Sequence, residues 1–374
     1  MSYYPQENER LSLFARVRNW YGKFERPISS LSLIGGFVFD ALTLTRVDEF
    51  WENFWVAGHL LIVAVCIFLI NLKENENKNE VENPDRAHFW LVNILQFFFG
   101  GLLSTFLVFY FRSGTLGASW PFFAILAAAF IANESLKRHY TRLAFQISLF
   151  FLSLYLFAIY LVPILFHEIG PWIFVLSGVI SLVTLWIFLQ LLKYSSREKF
   201  SRSRVPLFLS ILAIFTAMNA LYFFNLIPPI PLSLKDGGVY RSLVVNGPGH
   251  YTVESDDQGF FGFLQLESTV HINAGSPLYA YSAIFSPAEF DTTIVHEWQF
   301  YNASTSKWTT ASTVTLGVIG GSDGGYRTFS IQGDVQKSGK WRVNVETTRG
   351  QVIGRLDFNV VLTSTTPTFI TTQI

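Results

Sequence analysis

The chain has 374 residues, and its 27 Lys and Arg balance its 27 Asp and Glu, so the formal net charge is zero. That balance excludes a typical nucleic-acid binder, which needs a basic surface to displace the counterions around phosphates. Charged residues make up only 14% and aromatic residues 17%, with 38 phenylalanines, against about 25% charge in an ordinary water-soluble domain. Much of the chain is therefore built to meet lipid. The single cysteine, Cys66, lies in an apolar run, which excludes an intrachain disulfide and a cysteine-based metal centre.

Taken from the N-terminus, residues 1–27 form a polar leader. Within it Leu13, Phe14, Val17, Trp20, Tyr21 and Phe24 recur at helical spacing among Arg and Lys, the pattern of an interfacial amphipathic helix. A transmembrane helix needs about 20 mostly apolar residues. Seven segments meet this pattern, at 28–45, 53–72, 88–111, 117–132, 143–166, 171–192 and 205–227. The first has no small-residue cleavage site and reads as a signal anchor.

Lys and Arg crowd the leader and the connections at 73–86, 137–142 and 193–204, whereas the alternate short connections carry only Arg46 and Arg112. This bias places the N-terminus in the cytoplasm, and seven spans then place the C-terminal part outside. The connection KENENKNEVENPDR, residues 73–86, reads as a flexible cytoplasmic linker. The inverted-repeat pattern of many transporters is not visible.

After NLIPPIPL the composition changes. Pro228, Pro229 and Pro231 predict an extended, stiff connector over 228–234. From 235 the apolar residues alternate with period two: Trp341, Val343 and Val345 share one face, as do Leu356, Phe358 and Val360, with a hairpin turn over 347–351. Further strands are predicted over 239–245, 249–254, 260–272, 277–285, 292–301, 307–319 and 325–333. The expected fold is thus a seven-helix polytopic membrane domain (28–227) followed by an antiparallel all-β sandwich of Ig-like architecture (235–362). A loose Thr-rich tail is expected over 363–374.

The motifs HEWQF (296–300), GGYRTFS (324–330), GKWRVNVETTRGQVIG (339–354) and DFNVV resemble a bacterial family of unknown function, domain-of-unknown-function family 2914. NLIPPIPL and the segment 25–48 resemble the membrane part that often accompanies it. The resemblance implies a multi-pass envelope protein with an extracytoplasmic β-domain. It brings no established activity and transfers no catalytic residue.

Asp40 and His59 are expected at similar depths, roughly 8 Å below the outer boundary, on neighbouring helices. An ionisable pair inside a membrane costs free energy to bury and marks either a proton- or ion-handling site or a structural tie. Asn93, Gln96, Gln146, Gln190 and Asn219 read as interhelical hydrogen-bonding groups, and Gly35–Gly36 and Gly100–Gly101 as close-packing points. In the β-domain, Trp298, Trp308 and Tyr326 are the candidate aromatic binding surface, with core packing as the alternative. Glu254, Asp256 and Asp257 offer oxygen ligands, a calcium site or simply a solvated turn. His296 and Glu297 are adjacent on a strand and face opposite sides. GGSDGGYR (320–327) lacks the Lys-Ser/Thr and following helix of a phosphate cradle and reads as a strand connector.

No cofactor motif, metal set or nucleophile–base set is recognisable. The leading expectation is a non-enzymatic envelope protein whose sandwich binds a peptide, a glycan or another envelope protein. The alternatives are an ion- or proton-coupled transporter centred on Asp40 and His59, and a membrane sensor.

Overall fold

The computed structural model describes residues 34–44, 46–76, 86–135, 142–195, 197–256, 268–364 and 369–374. The amphipathic leader, the start of the first span at 28–33, most of the 73–86 linker and Asp257 lie outside the described residues. A short apolar helix α1 (Ile34–Thr43) precedes six helices long and apolar enough to cross a membrane. These are α2 (Phe50–Glu76), α3 (Arg86–Arg112), α4 (Leu116–Ser135), α5 (Leu143–Phe166), α6 (Pro171–Ser195) and α7 (Arg197–Phe223).

α5 is the hub, with 72% of its most apolar stretch buried against 22–50% in the other five. Its sequence is apolar on every side, which is what a helix surrounded by others requires. Buried polar side chains tie the bundle together. Asn71 on α2 donates to Gln146 Oε1 on α5 at 2.9 Å, and Asn219 on α7 donates to the Tyr155 hydroxyl on α5 at 3.2 Å. Gln96 and Asn133 clasp α3 to α4, each amide donating to the other's carbonyl at 3.3 and 3.2 Å. Such bonds average about 0.6 kcal/mol in a bilayer, so they select helix register more than they supply bulk stability.

Gly100 and Gly101 are close-packing points: a Cβ there would lie 3.2 Å from Asn133 Nδ2 and 3.3 Å from His59 Nε2. Gly35 and Gly36 depart from that expectation, since none of the described residues lies against them. Gln190 is exposed on the bundle surface.

Among the described residues eleven strands follow: β1 (Ser233–Tyr240), β2 (Ser242–Gly247), β3 (His250–Asp256), β4 (Ser268–Ile272), β5 (Leu278–Phe285), β6 (Thr292–Asn302), β7 (Lys307–Val318), β8 (Tyr326–Gln332), β9 (Gly339–Thr347), β10 (Val352–Leu362) and β11 (Phe369–Gln373). A five-stranded sheet, ordered β4-β10-β9-β6-β7, packs on a three-stranded sheet ordered β1-β5-β8. A third sheet, β11-β3-β2, covers the other side of the second. The expected two-layer sandwich is therefore a three-layer stack, and β5 is its centre. Leu278, Ala280, Ser282 and Ile284 face the five-stranded sheet, while Tyr279, Tyr281 and Ala283 face the third. A strand buried on both faces reads as a nearly unbroken apolar run, as LYAYSAIF does.

Three other expectations are corrected. β4 pairs with β10 in parallel, so the stack is not purely antiparallel. The tail is not loose: Phe369–Gln373 pairs with β3, adding backbone hydrogen bonds that offset its polar sequence. Residues 227–232 are not a spacer. All six are buried, because their apolar rings and branches plug the gap between helices and sheets.

That joint is extensive. Phe285 of β5 joins the helical core with Ile227 and Ile230, and Ile169 from the α5–α6 turn packs into the β core with Leu232, Ile284 and Phe290. Asn225 donates to Arg349 O at 2.7 Å, Gln351 to Ile227 O at 3.4 Å, and Arg46 bonds Asp323 on the β7–β8 loop. The C-terminal ends of α1, α3, α5 and α7 and the N-terminal ends of α2, α4 and α6 thus all face the β-domain. Trp51, Trp55, Trp120 and Trp172, each more than 60% exposed, lie near those same helix ends.

Within the β-domain, Gly354 lets β10 pack closely on β1, because a Cβ on it would fall 2.3 Å from Leu234 Cδ2 and 2.9 Å from Leu234 Cβ. Leu234 cannot swing its own Cβ away. Gly354→Ala is therefore expected to destabilise the chain by about 1–3 kcal/mol through overpacking, read as a lower unfolding temperature in detergent; an unchanged temperature would contradict this packing.

Candidate functional site

The period-two alternation that builds the β core also writes a second, outward phase. On β9, Trp341, Val343 and Val345 point in, so Arg342, Asn344 and Glu346 point out; on β10, Arg355 and Asp357 do the same. β6 contributes Glu297 and Gln299, paired across to Asn344 and Arg342. Glu297, Gln299, Arg342, Asn344 and Arg355 are joined by hydrogen bonds, with Glu346 and Asp357 beside them. Glu297 accepts from Thr310 at 2.7 Å and Asn344 at 3.1 Å, Arg342 Nε donates to Gln299 at 2.7 Å, and Arg355 Nε donates to Asn344 Oδ1 at 2.8 Å. Trp308 and Tyr301 close the end away from the helices in an edge-to-face pair 5.3 Å apart, with the Arg342 guanidinium 4.1 Å above the Trp308 ring.

The network sets its own charges. Burial works against the Glu297 carboxylate, but hydrogen bonds from Thr310, Gln299 and Asn344 outweigh it and hold its pKa below the ordinary value. Burial, with the nearby Glu297 charge adding to it, pushes Glu346 up to about 7, although Arg355 opposes this. Burial and the neighbouring Arg355 lower Arg342 to about 10.

The three aromatic residues expected to form a binding surface do not share one. Trp298 is fully buried, 6.2 Å edge-to-face from Phe358, because it occupies the inward phase of β6. Tyr326 packs against the base of the core beside Ile294 and Ile353. Trp308 alone lies on the outward face, half-buried under Arg342.

His296 is the partner of Trp298 in a buried polar cluster. Its Nδ1 lies 2.9 Å from Ser330 Oγ and its Nε2 2.8 Å from Ser282 Oγ, while Trp298 Nε1 donates to Ser330 Oγ at 2.9 Å. The indole can only donate, so Ser330 accepts from it and gives its own proton to His296 Nδ1, leaving Nε2–H to donate to Ser282. Glu297, next in sequence, faces the opposite side as expected. Asp256 accepts from the His271 backbone N–H at 2.6 Å and lies 3.0 Å from its Nδ1, so that carboxylate closes β3 onto β4. Among the described residues no group of three His, Cys, Asp or Glu is placed to hold a metal.

In the bundle, His59 is buried between the Trp55 and Phe98 rings, with Nδ1 2.9 Å from Trp55 O. Asp40 lies near enough to feel its charge and sits beside Ser104, but no ion pair or hydrogen bond joins Asp40 to His59 among the described residues. Residues 320–327 connect β7 to β8 as expected. Gly320 passes so close to Pro287 O that a Cβ would lie 2.0 Å from it, and Gly325 takes φ +86° against the Ala283 backbone.

Residues 291–360 match the family model described as Protein of unknown function (DUF2914), a segment that spans β6 to β9 and nearly all of β10. It contains His296, Trp298 and Ser330 of the buried cluster, but not Ser282, and it contains the outward-facing polar groups of β6, β9 and β10. The match leaves out the helices. No curated protein matches the chain. Among solved structures, the chain is similar to an immunoglobulin-like protein from Pseudomonas aeruginosa (12% identity, TM-score 0.19, covering 35% of this chain and 92% of that one). It is also similar to a β-glucosidase from Listeria innocua (16% identity, TM-score 0.19, 24% of this chain and 14% of that one) and to the alkylpurine DNA glycosylase AlkC of Pseudomonas fluorescens (10% identity, TM-score 0.22, 84% and 99%). The chain thus spans about one-seventh of that β-glucosidase, and none of these likenesses is close enough to carry an argument.

Burial lowers the His296 pKa from 6.5 to about 4. The unfolded chain therefore binds this proton before the folded one, and stability falls as pH drops from about 6.5 to 4, at up to about 1.4 kcal/mol per pH unit. Between pH 7 and 4, the unfolding temperature of the full chain is expected to fall further in the wild type than in His296→Gln. Equal slopes would show that His296 is not the group being charged.

Proposed function

We propose that this chain is a multi-pass membrane protein of the bacterial cell envelope, without catalytic activity, that presents a recognition domain on the extracytoplasmic side. Six long apolar helices support insertion, and the exposed tryptophans near the helix ends at the joint match the aromatic belt of a membrane interface. Arg46 and Arg112, the few cations of the joint-side connections, lie under the β-domain, while the Lys- and Arg-rich connections belong to the opposite helix ends. This supports a cytoplasmic N-terminus and an external β-domain.

The observation that carries the reading is the seat of the β-domain. A core shared with the helices fixes its orientation and leaves the polar face of the five-stranded sheet turned to solvent. The partner class that fits this face is an extended glycan or peptide chain, free or borne by another envelope protein. Trp308 and Tyr301 offer an aromatic end, and Glu297, Gln299 and Arg342 offer donors and acceptors on strands about 4.8 Å apart.

The test uses the full chain in nanodiscs with cell-wall glycan strands and stem peptides as probes. Wild-type protein is expected to bind, and Trp308→Ala with Gln299→Ala to weaken binding about tenfold or more, equivalent to about 1.4 kcal/mol, at unchanged unfolding temperature. Failure of the wild type to bind either probe, or binding indifferent to these two changes, would contradict the assignment of this face.

A further inference from the structure

Arg46 and Arg112 stand out in the sequence as the exceptions to the positive-inside pattern, and the structure gives them company. Where the α3–α4 corner meets β1 and β10 there is a crevice of about 480 Å³. Arg112, Lys235 and Arg355 line it, and no acidic side chain does. The three come from three separate elements, so the fold rather than local sequence assembles them.

Each cation is positioned rather than loose. Arg112 is held by the carbonyls of Ala41, at 2.7 Å, and Leu44. Arg355 is steered by Asn344 Oδ1, and its terminal nitrogen lies over Gly117, where a Cβ would come within 3.1 Å of it. The Lys235 ammonium sits 4.9 Å above the Phe285 ring. Neither Lys235 nor Arg355 has a carboxylate within ion-pair distance among the described residues.

Arg46 adds a fourth charge nearby but is paired with Asp48 and Asp323. Like charges crowd this point: burial pushes the Lys235 pKa down, and Arg112 and Arg46 push it further, against the pull of Asp48 and Asp323. Converging cations with no acid in the lining make a site for an oxyanion with several acceptor oxygens.

We propose that this crevice binds a phosphate group, with Arg112, Lys235 and Arg355 as its donors. Phe111, 52% exposed, forms one lip, and Trp120 lies one turn into the adjoining helix. On the membrane reading above, on which this part rests, the crevice sits at headgroup level with an apolar lip toward the acyl chains. The phosphate of an amphiphile and free phosphate share the chemistry, and the experiment separates them.

The full chain is studied in detergent with inorganic phosphate and in nanodiscs of phosphatidylcholine with or without phosphatidic acid, following the unfolding temperature and lipid retention by native mass spectrometry. A rise with phosphatidic acid, at least tenfold weaker in Lys235→Gln and Arg355→Gln and unchanged in the distal Lys307→Gln, is the expected result. A rise with inorganic phosphate alone, lost in the same variants, assigns the site to the free anion. No response to either probe, or a response that survives both variants, overturns the proposal. The detergent arm needs no bilayer, so a failure of membrane insertion, scored separately by protease protection in vesicles, is not mistaken for a failure of the crevice.

Discussion

The structure depends on two apolar cores that exchange a side chain. Phe285 leaves the sheet to pack among the helices, and Ile169 leaves the helices to pack inside the sheets, with the buried run from Ile227 to Leu232 between them. A proline-rich connector between exposed partners would permit rotation, as interdomain linkers generally do. Here the same prolines are core residues. Moving the β-domain would expose them together with Phe285, a loss of about 25 cal/mol for each Å² of apolar surface returned to water.

Everything proposed about the outer surface follows from that constraint. The polar face over β6, β9 and β10 has one orientation relative to the bundle, and the crevice exists because Arg355 and Lys235 from the sheets are held beside Arg112 from a helix. The His296 cluster plays the matching role within the β-domain. It spends buried polar groups on a single arrangement of β5, β6 and β8, since each donor and acceptor has one partner in reach.

The helices were legible in the sequence because each is a long, nearly unbroken apolar run that stands out independently of its neighbours. The strands of the family segment were legible for a similar reason: Trp341, Val343, Val345, Leu356, Phe358 and Val360 mark one face by local alternation. What was not legible is long-range. The β4–β10 parallel pairing joins residues ninety positions apart, and the third layer is set by partners of β3 and β5 that no local period records. Trp298 and Trp308 look alike as residue types, and only the pairing phase of β6 against β7 places one inside and the other out. Asp40 and His59 were visible as polar residues in apolar segments, but the ring contacts and the Trp55 carbonyl that hold His59 belong to packing. Arg46 and Arg112 were visible as exceptions in charge, and their meaning depended on Lys235 and Arg355 arriving from the sheets.

The most direct test of the shared core is the distance between its two sides. In a Cys66→Ala background, spin labels at Thr184→Cys on α6 and Thr313→Cys on β7 would be measured by pulsed electron resonance in nanodiscs. One narrow distance distribution, broadened by Ile169→Ala with Phe285→Ala, is the predicted result. A broad or multiply peaked distribution in the otherwise unaltered chain would show that the β-domain moves on its linker and that the joint is not what fixes it.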